Sequence, residues 1–535
     1  MRPINNKHIN LYYTSWSCYD RNFQVKDLAK LIVSGATDIS YAFYNLEKVG
    51  DGYIIKSGDP WADHQKTQPT GIMPADTWQD SEKNQAGNFG QLRKLKGLGA
   101  EFNLHLSVGG WSWSKFFSPA VSTDVSRTML INSIIEFFKT YPFFDGIDFD
   151  WEFLTNNGQN YGLDGNIANS EDANNFKKFL TSLRQTLTSN GMSKYLGMCV
   201  TAAPEKAVFP VQEIHPLLDE IRVMSYDFKG SWDLKDVGHQ ANPRKCSTSS
   251  YSCEQAADFY LSKGVPSNKL LIGYVAYSRG WQGSSALGQP ATGNSPDTQF
   301  AAEQGICAYH MLPRPGAVEM WDNDAKAHYS YDASKKIINT YDTVESVAEK
   351  CKIVNEKNLK GLIVWEAAGD VLPENPRSLV MSAARNLFNK NSSVPPVPVV
   401  NNPPPTVPTT PVPAPTVPSV PFPSGTPEWK VGGVYNPGSK VVYNGKIYES
   451  IVSHTAHVAS WDPASTPTLW KLSADIPSTV KPPVIPPVVP TIPVIPPYVP
   501  PPVVPTTPVP TAGCNCCNAL WDKILDAIKS HRGSR

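Results

Sequence analysis

The 535-residue chain lacks several features that would place it early. No run of about 18 apolar residues occurs, so nothing in it reads as a transmembrane helix. Its start, MRPINNKHINLYY, lacks the apolar core of a secretory signal, so no export signal is recognised. Net charge is also missing: 48 basic residues balance 48 acidic ones, which favours neither nucleic acid nor an anionic membrane as main partner. Cysteine is scarce. The nine cysteines, three of them clustered at Cys514, Cys516 and Cys517, form an odd set without framework spacing, which argues against a disulfide scaffold. Cys246 and Cys253 either pair across their loop or remain free thiols.

Proline and aromatic residues are abundant, with 49 Pro, 14 Trp and 22 Tyr, a combination suited to flat apolar binding surfaces joined by stiff linkers. Residues 391–427 and 475–512 are Pro-rich and low in complexity. They are expected to form polyproline II spacers, the second reaching on the order of 100 Å at about 3.1 Å per residue. Three foldable pieces remain: 8–390, 428–474 and a tail, 513–535.

In the large piece, short apolar runs recur between longer amphipathic stretches. They are INLYYTSW, DISYAFYNL, FNLHLSVGG, FFDGIDFDWEF, YLGMCVTAAP, EIRVMSYDF, LLIGYVAYSRGW and GLIVWEAAGD. Most are followed by a helical pattern such as SEDANNFKKFLTSLRQTL. This alternation predicts an α/β fold, a (β/α)8 TIM barrel, with its chemistry at the C-terminal ends of the strands. The gap from Trp281 to Lys350 exceeds one crossover helix. It predicts an α+β insertion, about 282–350, between the seventh and eighth strands, walling one side of a cleft.

The fourth run concentrates the chemistry. Side chains alternate along a strand, so Asp148, Asp150 and Glu152 share one face while Ile147, Phe149 and Trp151 share the other. The apolar set is expected to pack on helices, with the acids pointing into the barrel and Glu152 emerging at its mouth. Three acids on a straight strand do not wrap a cation, and no Gly-bearing ligand loop accompanies them, so no metal and no cofactor is expected. Stacked carboxylates repel, so Asp148 and Asp150 are expected to share a proton and titrate as a unit. Ordinary glycosidases place two carboxylates on either side of the scissile bond, but Asp150 and Glu152 leave one strand on one side. A retaining glycosidase built this way needs its nucleophile from the substrate, as when the sugar carries a 2-acetamido group.

DGIDFDWE resembles the D-x-x-D-x-D-x-E signature of family-18 glycoside hydrolases, the chitinases. SVGGW (Ser107 to Trp111), MSYD (Met224 to Asp227), YSRGW (Tyr277 to Trp281) and VWE (Val364 to Glu366) follow in the family's order, and the resemblance spans residues 8 to 390. It implies a chitinase acting on chitin and chitooligosaccharides. By the same resemblance Glu152 protonates the glycosidic oxygen and later activates water, while Asp150 orients the acetamido group and stabilises the oxazolinium ion, sharing a proton with Asp148. Tyr226 corresponds to the residue that hydrogen-bonds the acetamido carbonyl. Asp227, Tyr277 and Arg279 correspond to contacts around the cleaved bond. Trp365 corresponds to the floor of the −1 subsite, and Tyr12, Phe43, Trp111 and Met224 to further lining. Asp145, of opposite parity, is expected to brace the strand. Two departures stand out. Ala276 and Ser278 replace the family's usual residues around Tyr277, and FLTNNGQN replaces the usual Tyr-Pro after Glu152.

Residues 428–474 resemble a chitin-binding module of carbohydrate-binding families 5 and 12, a small all-β unit, down to HTAHVASWDP and the closing TLWK. Trp429 and Trp470 are expected in its core, and Trp461 and Tyr448 on its binding face. In the tail, Leu520, Trp521, Ile524, Leu525 and Ile528 form one helical stripe suited to docking on a partner or a membrane surface, or to fraying. Two alternatives to a chitinase remain, an inactive chitin-binding lectin and an endo-β-N-acetylglucosaminidase on N-glycans; retention of Glu152 counts against the first, the insertion and the module against the second. A polymer-degrading enzyme is expected outside the cell or in a digestive compartment, by an export route the sequence leaves open.

Overall fold

The computed structural model describes residues 6–388, except 70, 72, 156–157, 159–165 and 298–302. Toward the C-terminus it describes residues 427–430, 433–436, 438–443, 446–451, 454–455, 463 and 470–475. Two compact units separate at residues 402 and 403.

In the first unit, eight parallel strands close a barrel: β1 (His8–Thr14), β2 (Asp38–Val49), β4 (Asn103–Gly109), β5 (Gly146–Asp150), β6 (Tyr195–Thr201), β7 (Glu220–Met224), β8 (Leu270–Val275) and β15 (Gly361–Trp365). Closure comes from β1, which pairs with β2 (Asn10 opposite Asp38) and with β15 (Leu11 opposite Val364). The short β3 (Gly52–Ser57) extends β2 as a hairpin. These strands are buried on both faces, which is why each reads as a nearly unbroken apolar run.

The helices cover the outside through stripes at helical spacing. In Asp172–Ser189 the stripe is Phe176, Phe179, Leu180, Leu183 and Leu187. Phe149 of β5 packs edge-on against Phe176 and Phe179, at centroid distances of 5.8 and 5.3 Å, so the outward face of the acid-bearing strand is anchored by aromatic packing.

Between β8 and β15 lies the insertion. LLIGYVAYSRGW divides at Ala276: β8 stays in the barrel, and β9 (Tyr277–Gln282) opens a separate antiparallel sheet. That sheet adds β10 (Gly293–Asn294), β11 (Ile306–Ala308), β12 (Val318–Asp322), β13 (Ala327–Asp332) and β14 (Ile337–Tyr341). Among the described residues its own helical content is one turn, Tyr309–Met311; the helix Val344–Glu356 returns the chain to the barrel. A buried ion pair fastens this junction. Asp342 accepts from Lys350 Nζ at 2.6 Å and from the backbone N–H of Val275 at 3.0 Å.

In the second unit, β17 (Lys440–Tyr443), β18 (Lys446–Ser450) and β20 (Trp470–Asp475) form an antiparallel sheet, preceded in sequence by β16 (Val434–Tyr435), which pairs with β19 (His454–Thr455). Tyr435, Val441, Tyr448 and Trp470 make its small core, with Trp429 and Tyr443 against it.

Candidate active site

β5 delivers its acids as the alternation requires. Ile147, Phe149 and Trp151 face the helices, and Trp151 stacks on Phe117 at 5.2 Å. Asp148 and Asp150 point inward and are buried. At the start of the strand Asp145 accepts from Lys96 and from the backbone N–H of Leu104, tying β5 to β4.

Asp148 lies deepest, ringed by donors. Its Oδ1 accepts from Arg222 and from Ser40 Oγ at 3.2 Å, and its Oδ2 from Ser107 Oγ at 2.7 Å and Tyr12 OH at 3.2 Å. Arg222 also pairs with Glu220 at 2.9 Å, and Lys360 holds the other oxygen of Glu220 at 2.7 Å. Among the described residues, His8, Asp38 and Glu220 sit close enough to be potential metal donors. Asp38 hydrogen-bonds His8 at 2.7 Å, and Glu220 pairs with Arg222 and Lys360, so both carboxylates are already engaged within the barrel floor.

Nearer the mouth the acids lose their cations. Asp150 Oδ1 is buried without a hydrogen-bond partner. Burial, and then the charge of Asp148, push its carboxyl up to about 8. Glu152 is half-buried just past the strand end; burial, then Asp150 and Asp227, hold its carboxyl well above the usual range. The backbone here is fixed by Ser114, whose hydroxyl accepts from Glu152 N at 2.8 Å and lies within hydrogen-bond distance of the carbonyls of Gly110 and Asp150. Gly110 adopts φ +79°, and a Cβ there would strike the Phe43 ring at 2.6 Å.

Asp227, at φ +56°, aims its carboxylate at the inserted sheet. It accepts two bonds from Arg279, both at 2.9 Å, and one from Tyr277 OH at 2.7 Å. Arg279 also contacts Glu303 at 2.7 Å, and its guanidinium lies 5.1 Å from the Trp232 ring centre. The departures around Tyr277 fit the start of the inserted sheet: Ala276 bridges Trp365 and Tyr309 through its backbone, and buried Ser278 faces Asn339.

The aromatic residues gather beside the acids. Phe43 stacks on Trp365 at 5.6 Å and 19°, and Tyr12 meets Trp365 at 5.6 Å. Met224 and Tyr226 pack on the same cluster. Tyr226 lies against β8 where Gly273 leaves room; a Cβ there would meet its ring at 2.6 Å. Trp111 stands half-exposed near Phe153, 6.4 Å away. The structure therefore brings Tyr12, Phe43, Met224, Tyr226 and Trp365 together next to Asp148, Asp150 and Glu152, with Asp227, Tyr277 and Arg279 on the insertion side.

Sequence reasoning missed Ser40, Ser107, Ser114, Cys199, Arg222 and Trp232. Ser107 and Trp232 had a usable signal, lying inside SVGGW and just beyond MSYD. The module requires one correction: Tyr448 is buried in the core with Trp470 and Tyr435, because its position on β18 turns inward, so its ring has no open face for a sugar. Trp461 lies outside the described residues.

Two regions match known families: residues 8–370 match Glycosyl hydrolases family 18, and residues 428–471 match Carbohydrate-binding module family 5/12. Endochitinase 1 of Metarhizium robertsii is 31% identical over 387 residues, covering 70% of this chain and 84% of that protein. Chitinase 1 of Aphanocladium album is 32% identical over 393 residues, covering 72% and 86%. The catalytic domain of psychrophilic chitinase B from Arthrobacter TAD20 superposes with a TM-score of 0.64 at 27% identity, over 75% of this chain and 99% of that one. With the barrel, the acid strand and a match across more than half its length, the chain belongs to the glycosyl hydrolases of family 18.

Proposed function

We propose that the chain is a chitinase that cleaves β-1,4-N-acetylglucosamine linkages with retention of configuration, using the substrate's own 2-acetamido group as nucleophile and Glu152 as general acid and base. The relatives' names support the substrate, and the module supports engagement of the solid polymer.

The observation that carries the mechanism is the disposition of the carboxylates. Asp150 ends β5 and Glu152 follows just past the strand end, near enough for Asp150 to bear on its carboxyl. The third carboxylate bearing on Glu152, that of Asp227, is tied by Arg279 and Tyr277 and so is not free to attack. A sugar lying across the mouth thus meets an acid on one side only, which leaves its acetamido oxygen to close on the anomeric carbon. Burial, then Asp150 and Asp227, favour the protonated form of Glu152, which gives its proton to the leaving oxygen. As a carboxylate it then takes a proton from the water that opens the oxazolinium ring. Tyr226 and Asp150 border the position of the acetamido group, and Trp365 with Phe43 offers an apolar floor for the sugar ring.

An insoluble polymeric substrate places this activity outside the cell or in a digestive compartment. The test is Glu152→Gln: chitin binding persists while hydrolysis is nearly lost and products from wild type retain the β configuration at first release. Equal hydrolysis by both proteins sinks the assignment.

A further inference from the structure

Arg222 belongs to none of the motifs singled out in the sequence, yet its guanidinium is fully buried beneath the acids. All five of its N–H groups are engaged. Nε and Nη2 donate to Glu220 at 3.0 and 2.9 Å, Nη2 also to His105 Nδ1, and Nη1 to Ser40 Oγ at 2.7 Å and to Asp148. We propose that Arg222 is a positioning residue for the reaction: it holds Asp148 as a carboxylate and so confines the proton of the aspartate pair to Asp150, beside Glu152, instead of leaving it divided between the two. The proposal rests on the roles given above to Glu152 and Asp150.

The geometry argues for it from both sides. Arg222 can only donate, so Ser40, having accepted from it, turns its own proton to Asp148 Oδ1; Ser107 and Tyr12 supply Oδ2. A protonated Asp148 would need an acceptor, and its strongest neighbour offers none. The lower barrel is also balanced in charge, Arg222 and Lys360 against Asp148 and Glu220. Asp38 of β2 accepts from Thr37 Oγ1 and from Asn103 Nδ2 at 2.7 Å and lies 2.7 Å from His8 Nδ1 of β1. His105 of β4 must accept at Nδ1 from Arg222, and burial and that guanidinium keep it from charging. Among the described residues Arg222 is the only cation paired with Asp148. On the other side, Asp150 has a buried oxygen without a partner, the Cys199 thiol of β6 nearby, and no cation in contact. Above it stand Glu152, Tyr226 and Asp227, the last compensated by Arg279. Of the two aspartates, the one without a cation is where a proton costs least. With Asp150 neutral, the carboxylate that Glu152 becomes on giving up its proton meets no like charge from Asp150.

The test is the pH profile of kcat on soluble oligomers for wild type, Arg222→Met and Arg222→Lys. In Arg222→Met, Asp148 loses its cation and takes up a proton, so the acid limb moves toward neutral pH by roughly one to three units. Arg222→Lys, which keeps the charge, restores the limb most of the way. A packing role alone lowers kcat at every pH and leaves the limb in place, and that result overturns the proposal. Should Arg222→Met not fold, the intact enzyme gives a second readout in infrared difference spectra at neutral pH. Wild type minus Asp150→Asn shows a protonated-carboxyl band at the high frequency of an acid with few hydrogen-bond partners, as Asp150 is. A band at the lower frequency of an acid ringed by donors, the setting of Asp148, or no band at all, overturns it. Hydrolysis by Glu152→Gln at the wild-type rate would instead defeat the catalytic reading and leave the infrared result standing.

Discussion

Asp148 lies within β5 and Glu152 just past its end, and the barrel treats their carboxyls in opposite ways. At the floor, Asp148 and Glu220 meet Arg222 and Lys360, and every carboxylate oxygen there has a donor. At the mouth, Asp150 and Glu152 are desolvated without a cation, and their carboxyls rise. Compensation makes a buried charge part of the framework, whereas its absence stores a proton where a reaction can use it.

This contrast can be tested from the largest expected effect to the smallest. Glu152→Gln should lower kcat by roughly a hundred- to ten-thousand-fold with little change in thermal unfolding, since an amide of the same size replaces a carboxyl whose protonated form burial favours; a large fall in melting temperature would make Glu152 a framework residue instead. Lys360→Met should do the reverse. Stripping one cation from buried Glu220 costs about 3–5 kcal/mol in denaturant unfolding while kcat of the folded enzyme moves far less. In the module the same division separates core from binding face. Tyr448→Ala should destabilise that unit by about 3 kcal/mol, and Tyr448→Phe should leave chitin binding intact, measured by pull-down on chitin.

Asp150 gives a pH signature of its own. Its carboxyl, ordinarily near 3.8, is raised to about 8 in the folded chain, so the folded state holds a proton that the unfolded state releases between those values. Stability from this group is therefore full below about 4 and is lost as pH rises through about 8, at no more than about 1.4 kcal/mol per pH unit. Urea unfolding across that window should show the slope in wild type and a shallower one in Asp150→Asn, with the share from Glu152 remaining. The smallest expected effect is none at all: removing residues 513–535 should leave hydrolysis of soluble oligomers unchanged, and a large loss would refute the modular reading.

Much of this was legible locally. The eight barrel strands were visible because strands buried on both faces read as apolar runs, and the parity of Asp148, Asp150 and Glu152 followed from the two-residue repeat of a strand. The division of LLIGYVAYSRGW at Ala276 was not, since apolarity continues across the break while the chain changes sheets. Tyr448 was misplaced because its alternation shows that two faces exist but not which one the rest of the sheet covers. Arg222 was invisible for a different reason: it resembles any charged residue in a strand, and its partners Asp148, His105 and Ser40 lie 74, 117 and 182 positions away.

The sequence by itself determined the class of fold, the family and the order of acids along one strand, because these depend on periodicity and on motifs written in consecutive residues. Only the tertiary structure decided which acid is paired and which is left to hold a proton. Closing the barrel brings a guanidinium from β7 against one carboxylate of β5 and leaves the next without a cation, and in a desolvated interior that difference of contact sets the charge of each.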